Sequence, residues 1–471
     1  MDGKQSGREL LGSRLGFILM AAGCAIGLGN IWRFPFIAGQ NGGGLFVLLY
    51  LIFLAILGFP VLLVELAIGR AGRNTLPGAL RSLQNRNVKF NWGIPGYVLF
   101  SGNMILLMFY SVVTGWMLAY SCFSFDAAFC GLDPAGFGRF FDGFLGNPLL
   151  QILFMAIAVE ITSWVCMGGV RKVVEKVIKV MMLGLFVLLI VLVIRAVTLP
   201  GGEKGLSFFL KPDPEHFIHG AGKGGFFVTV QAAMSHAFFT LSLGIGSIAV
   251  CGSYTSKERS LPQEGLMIIL LDTAVAICAG LVIFPACSAF GIEPAAGPSL
   301  VFITLPNVFQ QMPGGVPWRI VFFIFMSAAA LSTLIAVFEN LVAFGIDRFG
   351  WTRMKSCSVF QIAVMLLSIP CILGFNLWQG WEPLGKGTCV LDLEDFIVSD
   401  NLVVLGSLYM TVFCTWKAGW GEEGFLAEVN AGSGLKLSRA FVPYLRWGVP
   451  LIIFGIWLIG ILGRFGVIPR I

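Results

Sequence analysis

The sequence predicts an all-α polytopic membrane protein with about 11 transmembrane helices, arranged as an inverted repeat of two five-helix units in which helices 1 and 6 are broken. Three observations support this fold class. Of the 471 residues, 57% are hydrophobic and 12% are charged, with a mean hydropathy of +0.87, whereas soluble domains carry about 25% charged residues. Eleven apolar segments are long enough to cross a bilayer. Glycines and polar residues interrupt the first and the sixth of them.

Length and apolar continuity define the segments in chain order. Several exceed the roughly 20 residues that a span needs, which implies tilt or extension beyond the bilayer. The predicted spans are residues 14–38, 43–69, 92–125, 148–167, 173–199, 225–255, 262–291, 316–346, 357–376, 397–420 and 443–466. The predicted divisions are an N-terminal segment (1–13), a first repeat (14–199), an outer loop (200–224), a second repeat (225–420), a cytoplasmic loop (421–442), an eleventh helix (443–466) and an outer C-terminus (467–471).

Charge is distributed unevenly between the two sides of the predicted bundle. The net charge is +6, but the basic residues lie in short loops between apolar runs, so no nucleic-acid partner is expected. Most Lys and Arg residues fall at the N-terminus and after even-numbered spans, whereas the loop before span ten is acidic, with Glu382, Asp392, Glu394 and Asp395. Because basic loops stay on the cytoplasmic side, the N-terminus is predicted to be cytoplasmic and the C-terminus to lie outside.

The first apolar segment contains a stretch that a membrane helix should not tolerate. Gly23, Gly27 and Gly29 each cost a helix about 1 kcal/mol relative to alanine, and Asn30 and Arg33 follow at membrane depth. A glycine-lined packing face that ends in a proline kink is one interpretation, but it does not explain the two polar residues. Backbone freed from a helix inside a membrane must face protein, water or a ligand. We therefore predict that the carbonyls of this break hold a cation.

The sixth segment is interrupted in a comparable way by Phe239-Thr240-Leu241-Ser242-Leu243-Gly244-Ile245-Gly246. Breaks in segments one and six are what two five-helix repeats produce when each begins with a discontinuous helix. In inverted-repeat transporters, half-helix N-termini at such breaks face anionic groups and freed carbonyls face cations. The hydroxyl groups beside the glycines favour this interpretation over simple helix packing.

Cysteine usage and the absence of a reactive cluster exclude other classes. The 11 cysteines lie mainly within apolar runs and form no C-x-x-C pair, so neither a metal centre nor a redox centre is expected. Cys122, Cys130 and Cys389 fall near one face, where they are either bridged or, as we expect, free. No nucleophile–base set occurs at membrane depth, so the chain is predicted not to be an enzyme. The long first apolar run lacks a small-residue cleavage site and is not predicted to be a signal peptide.

Five motifs, taken in their order along the chain, resemble those of a known family. They are Gly27-Leu28-Gly29-Asn30-Ile31-Trp32-Arg33-Phe34-Pro35, Asn41-Gly42-Gly43-Gly44, Glu65-Leu66-Ala67-Ile68-Gly69-Arg70, Phe238-Phe239-Thr240-Leu241-Ser242-Leu243-Gly244 and Ala329-Ala330-Leu331-Ser332-Thr333. Together they resemble the neurotransmitter:sodium symporters, specifically the bacterial, leucine-transporter-like members that carry amino acids. The likeness covers nearly the whole chain, although many members have twelve helices. A homodimer is therefore an open expectation.

The resemblance implies a sodium-coupled secondary active symporter of the bacterial inner membrane. It would import a neutral, apolar or aromatic amino acid by alternating access, with two transported Na+ ions. By family position, the first ion is bound by Ala25, Asn30, Thr240 and either Leu271 or Asp272, of which Asp272 is chemically able. The second is bound by the carbonyls of Gly23, Ile26 and Ala329 and the hydroxyls of Ser332 and Thr333.

The resemblance also implies a substrate site between the two breaks. Its residues are Cys24, Ala25, Gly27, Gly29, Leu106, Tyr110, Phe239, Thr240, Ser242, Ile245, Thr333 and Val337. Monoamine-carrying relatives have aspartate at the position of Gly27, so glycine favours a substrate with its own carboxylate and leaves room for it. That carboxylate is expected to meet the half-helix N-terminus, the first sodium and the Tyr110 hydroxyl.

Charged pairs match the gates of the family. Arg33 and Asp395 match the outer pair, above Phe239 and Tyr110, while Arg8 and Asp347 match the inner pair, with Ser253 and Tyr254 nearby. Glu65 is expected to be buried against the backbone of spans one and six. His236 stands one turn before the sixth-span break, where relatives carry glutamine.

Asp272 carries a further expectation, that transport does not need chloride. Chloride-dependent relatives bind the anion beside the first sodium, and a fixed carboxylate can supply the same charge. The carboxylate, or His236, can also take up a proton when sodium leaves. Two other functions stay open on this fold, a non-transporting amino-acid sensor or scaffold and a sodium-gated channel. The aromatic residues and paired gates argue against the channel.

Overall fold

The computed structural model of the chain describes residues 11–125, 129, 131–212, 225–291, 299–312 and 314–464. Within these ranges the regular structure is helical, and they contain no β-strand. Arg8, Cys130 and the outer C-terminus (467–471) lie outside the described residues, so what is predicted for them stays a prediction.

The spans follow the sequence prediction in number and order. Nine helices of the described part are long and apolar enough to cross a membrane, and the bent pair Arg14–Ala25 and Gly29–Gln40 makes ten. The remaining predicted span is span six, which is built from two shorter helices, Gly225–Thr240 and Ser247–Ser253. Spans two to five are Gly44–Gly72, Gly93–Phe125, Pro148–Met167 and Val170–Val197, and spans seven to eleven are Leu261–Ala289, Gly315–Phe349, Arg353–Leu373, Val390–Thr415 and Arg439–Arg464. The predicted all-α polytopic fold is confirmed.

Span one breaks where its glycines predict. The helix Arg14–Ala25 ends at Ile26, whose ψ of 102° is extended. The chain resumes as a π-helical turn, Gly29–Arg33, followed by the α-helix Phe34–Gln40, and the two halves differ in direction by 53°. Single π-turns inside longer helices are frequent at functional sites.

Span six breaks because three residues between its halves adopt positive φ. Ser242, Gly244 and Gly246 have φ angles of 52°, 85° and 79°. Glycine accepts this region without strain, and a Cβ on Gly244 would clash with the Val403 carbonyl of span ten. Serine in this region costs of order 1 kcal/mol, so its place requires compensating contacts.

Span ten begins earlier than predicted, at Val390 instead of residue 397. Asp392, Glu394 and Asp395 therefore belong to the helix, and the prediction that they form a loop is wrong. The prediction missed this part of the helix because the acids interrupt the apolar run. The helix accommodates them because they have partners: Asp392 accepts from the Cys389 N–H at 2.7 Å, and Asp395 pairs with Arg33.

The broken spans lie inside the bundle. Span eight packs against spans one, three, four, five and nine, and the inner half of span six packs against span two. Spans four, five, nine and eleven are the least buried and form part of the outer surface. The two breaks are therefore enclosed by helices that supply side chains to them.

Candidate sodium and substrate site

Side chains of other spans bond the backbone groups that the break in span one leaves free. The hydroxyl of Thr333 in span eight donates to the Gly23 and Ile26 carbonyls, at 3.0 Å each. The Leu28 N–H donates to the Tyr110 hydroxyl of span three at 3.0 Å. Buried backbone groups require such partners, and carbonyls bonded only by hydroxyls can exchange those partners for a cation.

A second set of contacts ties the two breaks together. The Ser242 hydroxyl donates to the Cys24 carbonyl at 2.8 Å, which joins the turn of span six to the break of span one. The fully buried Glu65 accepts the Gly244 N–H. Glu65 thus meets the backbone of span six, one of its two predicted partners. These bonds help to hold Ser242 in its left-handed conformation.

Asp272 lies at the centre of a buried polar cluster. Its carboxylate is fully buried and accepts from Asn30 Nδ2 at 2.8 Å and from the Thr240 hydroxyl at 3.0 and 3.2 Å. Tyr50 donates to it more weakly, at 3.4 Å. Of the two candidates in span seven, the side chain that reaches Asn30 and Thr240 is therefore that of Asp272. Leu271 offers no side-chain oxygen and packs, partly exposed, against apolar residues.

The predicted second sodium site is assembled less completely. Thr333 links Gly23 and Ile26 as described above, but Ser332 donates to the Ala329 carbonyl of its own helix at 2.8 Å. Such back-bonding is common for Ser and Thr in membrane helices. Both hydroxyls lie in the buried part of span eight.

Between the breaks is a narrow cavity that in this conformation has a volume of about 20 Å³, little more than one water molecule needs. Its lining comes from spans one, three, six, eight and ten: Ala25, Gly27, Gly29, Leu106, Tyr110, Phe239, Ser242, Ile245, Thr333, Val398 and Val403. Apart from one serine, one threonine and the Tyr110 hydroxyl, the side chains are apolar. A small ligand with an apolar portion fits this composition.

Three residues that were predicted for the substrate site do not line the cavity. Cys24 contributes its carbonyl to Ser242, Thr240 faces Asp272, and Val337 is buried in the core of span eight without lining the cavity. Conversely, sequence reasoning missed Val398 and Val403 of span ten. The apolar continuity of span ten was the available signal, but no polar residue marked which of its faces meets the cavity.

Gly27 does not leave free space in this conformation, contrary to expectation. A Cβ there would clash with the Tyr110 hydroxyl and stand 2.5 Å from Thr333 Oγ1. The tyrosine hydroxyl occupies that volume because it accepts the Leu28 N–H. Any side chain at this position would therefore displace Tyr110.

The predicted outer pair is formed. Arg33 Nη1 lies 2.8 Å from Asp395 Oδ1 and donates to the Ser399 hydroxyl at 2.8 Å. The guanidinium also stands 4.4 Å from the centre of the Phe239 ring, which lines the cavity. The ion pair therefore covers the cavity through Phe239. Ser399 lies within the predicted span ten, but no local signal in the sequence marks its contact with Arg33.

At the other end of span one, the N-terminal residues are fastened to the bundle. The Leu11 N–H donates to the Tyr254 carbonyl at 3.1 Å, and Gly12 and Ser13 donate to the carboxylate of Glu175. Asp347 accepts the Thr75 N–H at 2.9 Å. Arg8 lies outside the described residues, so its pairing with Asp347 stays a prediction.

An ion pair that the sequence did not reveal lies beside the inner residues. Glu339 of span eight is fully buried and pairs with Arg353 at the start of span nine. The Tyr254 hydroxyl donates to Glu339 at 3.1 Å, and Arg353 donates to the Cys166 carbonyl at 2.6 Å. Tyr254 therefore contacts Glu339, and its neighbour Ser253 accepts from Arg73 at 3.1 Å.

His236 is buried among aromatic rings. Its ring centre is 5.5 Å from those of Phe34 and Tyr50 and 6.5 Å from that of Phe239. Neither ring nitrogen has a hydrogen-bond partner among the described residues. Its predicted role in proton uptake stays a prediction. Cys122 and Cys389 are both free, as expected.

Comparison with known proteins defines the class. A family model described as the sodium:neurotransmitter symporter family matches residues 8–131 and 142–464. An uncharacterized sodium-dependent transporter of Bacillus subtilis (strain 168), YhdH, is 35% identical over 96% of this chain and 97% of its own length. The sodium-dependent serotonin transporter of Drosophila melanogaster is 27% identical, over 97% of this chain and 77% of its own. The crystal structure of MhsT in complex with L-phenylalanine matches with a TM-score of 0.87 and 37% identity, over 96% of this chain and all of that one.

A helical membrane bundle with two broken spans around a central, largely apolar cavity is thus the fold of a sodium-dependent transporter. The chain belongs to the sodium:neurotransmitter symporter family. The family consists of transporters, so the prediction that the chain is not an enzyme is confirmed, as is the family resemblance. Sodium and a small-molecule substrate are the partners that this membership supports.

Proposed function

We propose that the chain is a symporter that imports a neutral, apolar or aromatic amino acid together with two sodium ions, by alternating access and without chloride. The observation that carries the proposal is the cavity between the two breaks, with a buried carboxylate cluster and a hydroxyl–carbonyl cluster beside it. Membership of the family supports sodium coupling, and MhsT was crystallised with L-phenylalanine.

The first sodium ion would bind at the Asp272 cluster. Ala25, which lines the cavity, offers a carbonyl, Asn30 an amide oxygen, Thr240 a hydroxyl and Asp272 a full negative charge. Hard cations prefer oxygen ligands of these kinds. When the ion enters, the hydrogen bonds that Asn30 and Thr240 now donate to Asp272 would be replaced by contacts of their oxygens to the cation.

The second sodium ion would bind where Thr333 meets span one. The Gly23 and Ile26 carbonyls already point at one hydroxyl, and a cation at that place would take both carbonyls and the Thr333 oxygen. Ser332 and Ala329 would complete the set if the serine released its bond within the helix.

The substrate carboxylate would bind next to Gly27 and Tyr110. The Leu28 N–H and the Tyr110 hydroxyl now satisfy each other, and a carboxylate inserted between them accepts from both. The first sodium would add its charge from the Ala25 side. Leu106, Phe239, Ile245 and Val398 would enclose an apolar side chain. An amine without a carboxylate leaves these donors unmatched.

Chloride independence follows from the charge of Asp272. Two cations in a buried site need a compensating anion, and the carboxylate supplies one from inside the first site. Uptake by the wild type should be the same in sodium chloride and in sodium gluconate.

Alternating access would use the two ends of span one. Release of the Arg33–Asp395 pair would uncover Phe239 and the cavity on one side, while release of the N-terminal residues from Glu175 and Tyr254 would open the other. The excess of Lys and Arg in loops after even-numbered spans supports a cytoplasmic N-terminus, and the similarity to a bacterial transporter supports the bacterial plasma membrane as the location.

The decisive experiment is uptake of radiolabelled substrates into proteoliposomes. Each of the twenty amino acids is supplied with an inward sodium gradient or with potassium in its place. We expect sodium-driven accumulation of an apolar or aromatic amino acid, with competition by similar amino acids and none by their decarboxylated amines, such as tryptamine. Competition by the amine as strong as that by its parent amino acid would contradict the carboxylate argument. Binding without accumulation would favour a sensor, and sodium current without coupled substrate would favour a channel.

A further inference from the structure

Two cysteine side chains meet between the inner halves of the two broken spans. Cys24 lies in the last turn of the first helix of span one, Arg14–Ala25. Cys251 lies in the second helix of span six, Ser247–Ser253. Both side chains are fully buried, neither forms a disulfide, and their thiols are hydrogen-bonded to each other. We call Cys24 and Cys251 the central thiol pair.

The packing of span six turns Cys251 toward span one. Its neighbour Gly252 packs against span two, where a Cβ would lie 2.7 Å from the Leu66 carbonyl oxygen. Ser247 and Tyr254, about one helical turn to either side of Cys251, hydrogen-bond to spans three and eight instead. Side chains one turn apart share a face of a helix, so Cys251 points away from span two and into the bundle. The first helix of span one packs against this short helix and against span eight.

The central thiol pair lies between the cavity and the inner end of span one. Ala25, which follows Cys24, lines the cavity. On the other side, three residues after Cys251, the Tyr254 carbonyl accepts the Leu11 N–H. Release of that bond is part of the proposed inner opening, and it would draw the first helix of span one away from Cys251. In that mechanism the two thiols are in contact when the inner side is closed and apart when it is open.

From this placement we infer that the central thiol pair is an oxidation site, and that a disulfide between Cys24 and Cys251 locks the inner side closed. The inference rests on the proposed alternating access, because a covalent link stops only parts that must separate. A thiol is a weak hydrogen-bond donor, so the present contact opposes opening little. A disulfide in its place would hold the two spans together until a thiol or another reductant cleaved it.

The oxidant that suits the site is a hydroperoxide such as hydrogen peroxide, which is small and uncharged. When the inner side opens, water reaches the thiols and one of them gives up its proton. Its sulfur attacks a peroxide oxygen, an S–O bond forms as the O–O bond breaks, and the leaving hydroxide takes up the proton as water. When the spans close, the second thiol attacks the sulfenic sulfur, an S–S bond forms and a second water leaves. Two thiols and one hydrogen peroxide thus give one disulfide and two waters, with two electrons passing from sulfur to oxygen.

Burial and the break of span one both suit this order of steps. In the closed conformation neither cysteine side chain is exposed, so peroxide reaches the pair only after opening. A disulfide then needs its sulfur atoms about 2 Å apart, closer than a hydrogen bond holds two thiols. Cys24 can make that approach because its helix ends two residues later, at Ile26, whose backbone is extended.

Peptide mapping by mass spectrometry tests whether the bridge forms. The full-length protein carries Cys122→Ser, because that cysteine is exposed. In proteoliposomes it is exposed to hydrogen peroxide under a sodium gradient and is then digested without reduction. We expect a disulfide-linked peptide that contains Cys24 and Cys251, and none after dithiothreitol. Absence of this peptide would overturn the inference. Since the readout does not need uptake, a linked peptide in protein that accumulates no amino acid would contradict the proposed symport and still support the bridge.

Uptake after removal of the peroxide by catalase tests whether the bridge locks the protein. The Cys122→Ser parent should lose sodium-driven uptake, and dithiothreitol should restore it. Cys251→Ser in this background should take up substrate as the parent does and should keep its uptake after peroxide, because one thiol alone forms no bridge. Cys414→Ser, which removes a buried cysteine of span ten, is the matched control and should be inhibited like the parent. Inhibition of the Cys251→Ser variant equal to that of the parent would overturn the lock, as would full uptake by protein that carries the bridge.

Discussion

Replacing Asp272 tests whether a fixed carboxylate substitutes for chloride. The carboxylate is fully buried and lies 2.8 Å from the amide of Asn30 and 3.0 Å from the hydroxyl of Thr240, the two side chains proposed to bind the first sodium. At a separation of about 4 Å and an effective dielectric constant of 20, one negative charge attracts sodium by about 4 kcal/mol. That energy corresponds to roughly a thousandfold in affinity, which is an upper limit because desolvation opposes it.

We expect Asp272→Ser to raise the sodium concentration for half-maximal uptake by at least about tenfold in gluconate, with partial rescue by chloride. Serine removes the charge and leaves space where a chloride ion can lie. Asp272→Asn is the matched comparison, because it removes the same charge but keeps the volume of the side chain. This variant should be equally weak in gluconate and should not be rescued by chloride.

The assay is uptake of radiolabelled substrate into proteoliposomes, with sodium varied at constant ionic strength and with chloride or gluconate as the anion. Glu160→Gln removes a carboxylate on the outer surface of the bundle and should leave the sodium dependence unchanged. A wild type that fails without chloride would refute the reasoning. An Asp272→Ser variant with the sodium dependence of the wild type in gluconate would refute it as well.

Four further substitutions probe the remaining parts of the site. Ser332→Ala should weaken sodium-dependent uptake without lowering thermal stability in the absence of sodium, because its hydroxyl bonds a carbonyl of its own helix. Thr333→Val should lower both sodium-dependent uptake and stability, the latter by about 1–3 kcal/mol, because two carbonyls of span one lose their donor. Unchanged uptake at limiting sodium in both variants would reject the second sodium site. Tyr110→Phe should weaken equilibrium substrate binding about tenfold, since a hydrogen bond to a charged carboxylate is lost, and binding equal to that of the wild type would remove this residue from the site. Arg33→Lys should speed dissociation of bound radiolabelled substrate several-fold, because lysine lacks the planar guanidinium that contacts Asp395 and the Phe239 ring together. An unchanged dissociation rate would show that the ion pair does not cover the cavity.

The sequence by itself determined the class of protein and the location of the two breaks. Hydropathy measures whether a segment can replace water by lipid, and glycines and buried polar residues mark where a helix cannot continue, so both signals are local. Gly23 to Pro35 and Phe239 to Gly246 were therefore recognisable without coordinates. Their order along the chain, with the eighth-span motif, was specific enough to indicate the family, which the comparisons confirm.

Local signals failed where a charged residue is accommodated by a distant partner. The acids of span ten interrupted its apolar run, so the helix was predicted to begin at residue 397 instead of Val390. Asp395 is accommodated in the added part of this helix because Arg33, 362 residues away, pairs with it. The Glu339–Arg353 pair was missed for a related reason, since neither residue signals in sequence that it will be buried against the other.

Only the tertiary structure decided which side chains meet. Asn30 and Asp272 are 242 residues apart, and their contact depends on the rotation of span seven about its axis, which also turns Leu271 away. Packing likewise fills the space beside Gly27 with the Tyr110 hydroxyl and brings Val398 and Val403 to the cavity. Composition can require that a helix be buried, but a rotation of about 100° per residue separates neighbouring side chains, so the face turned toward a site follows from the packing of all the helices together.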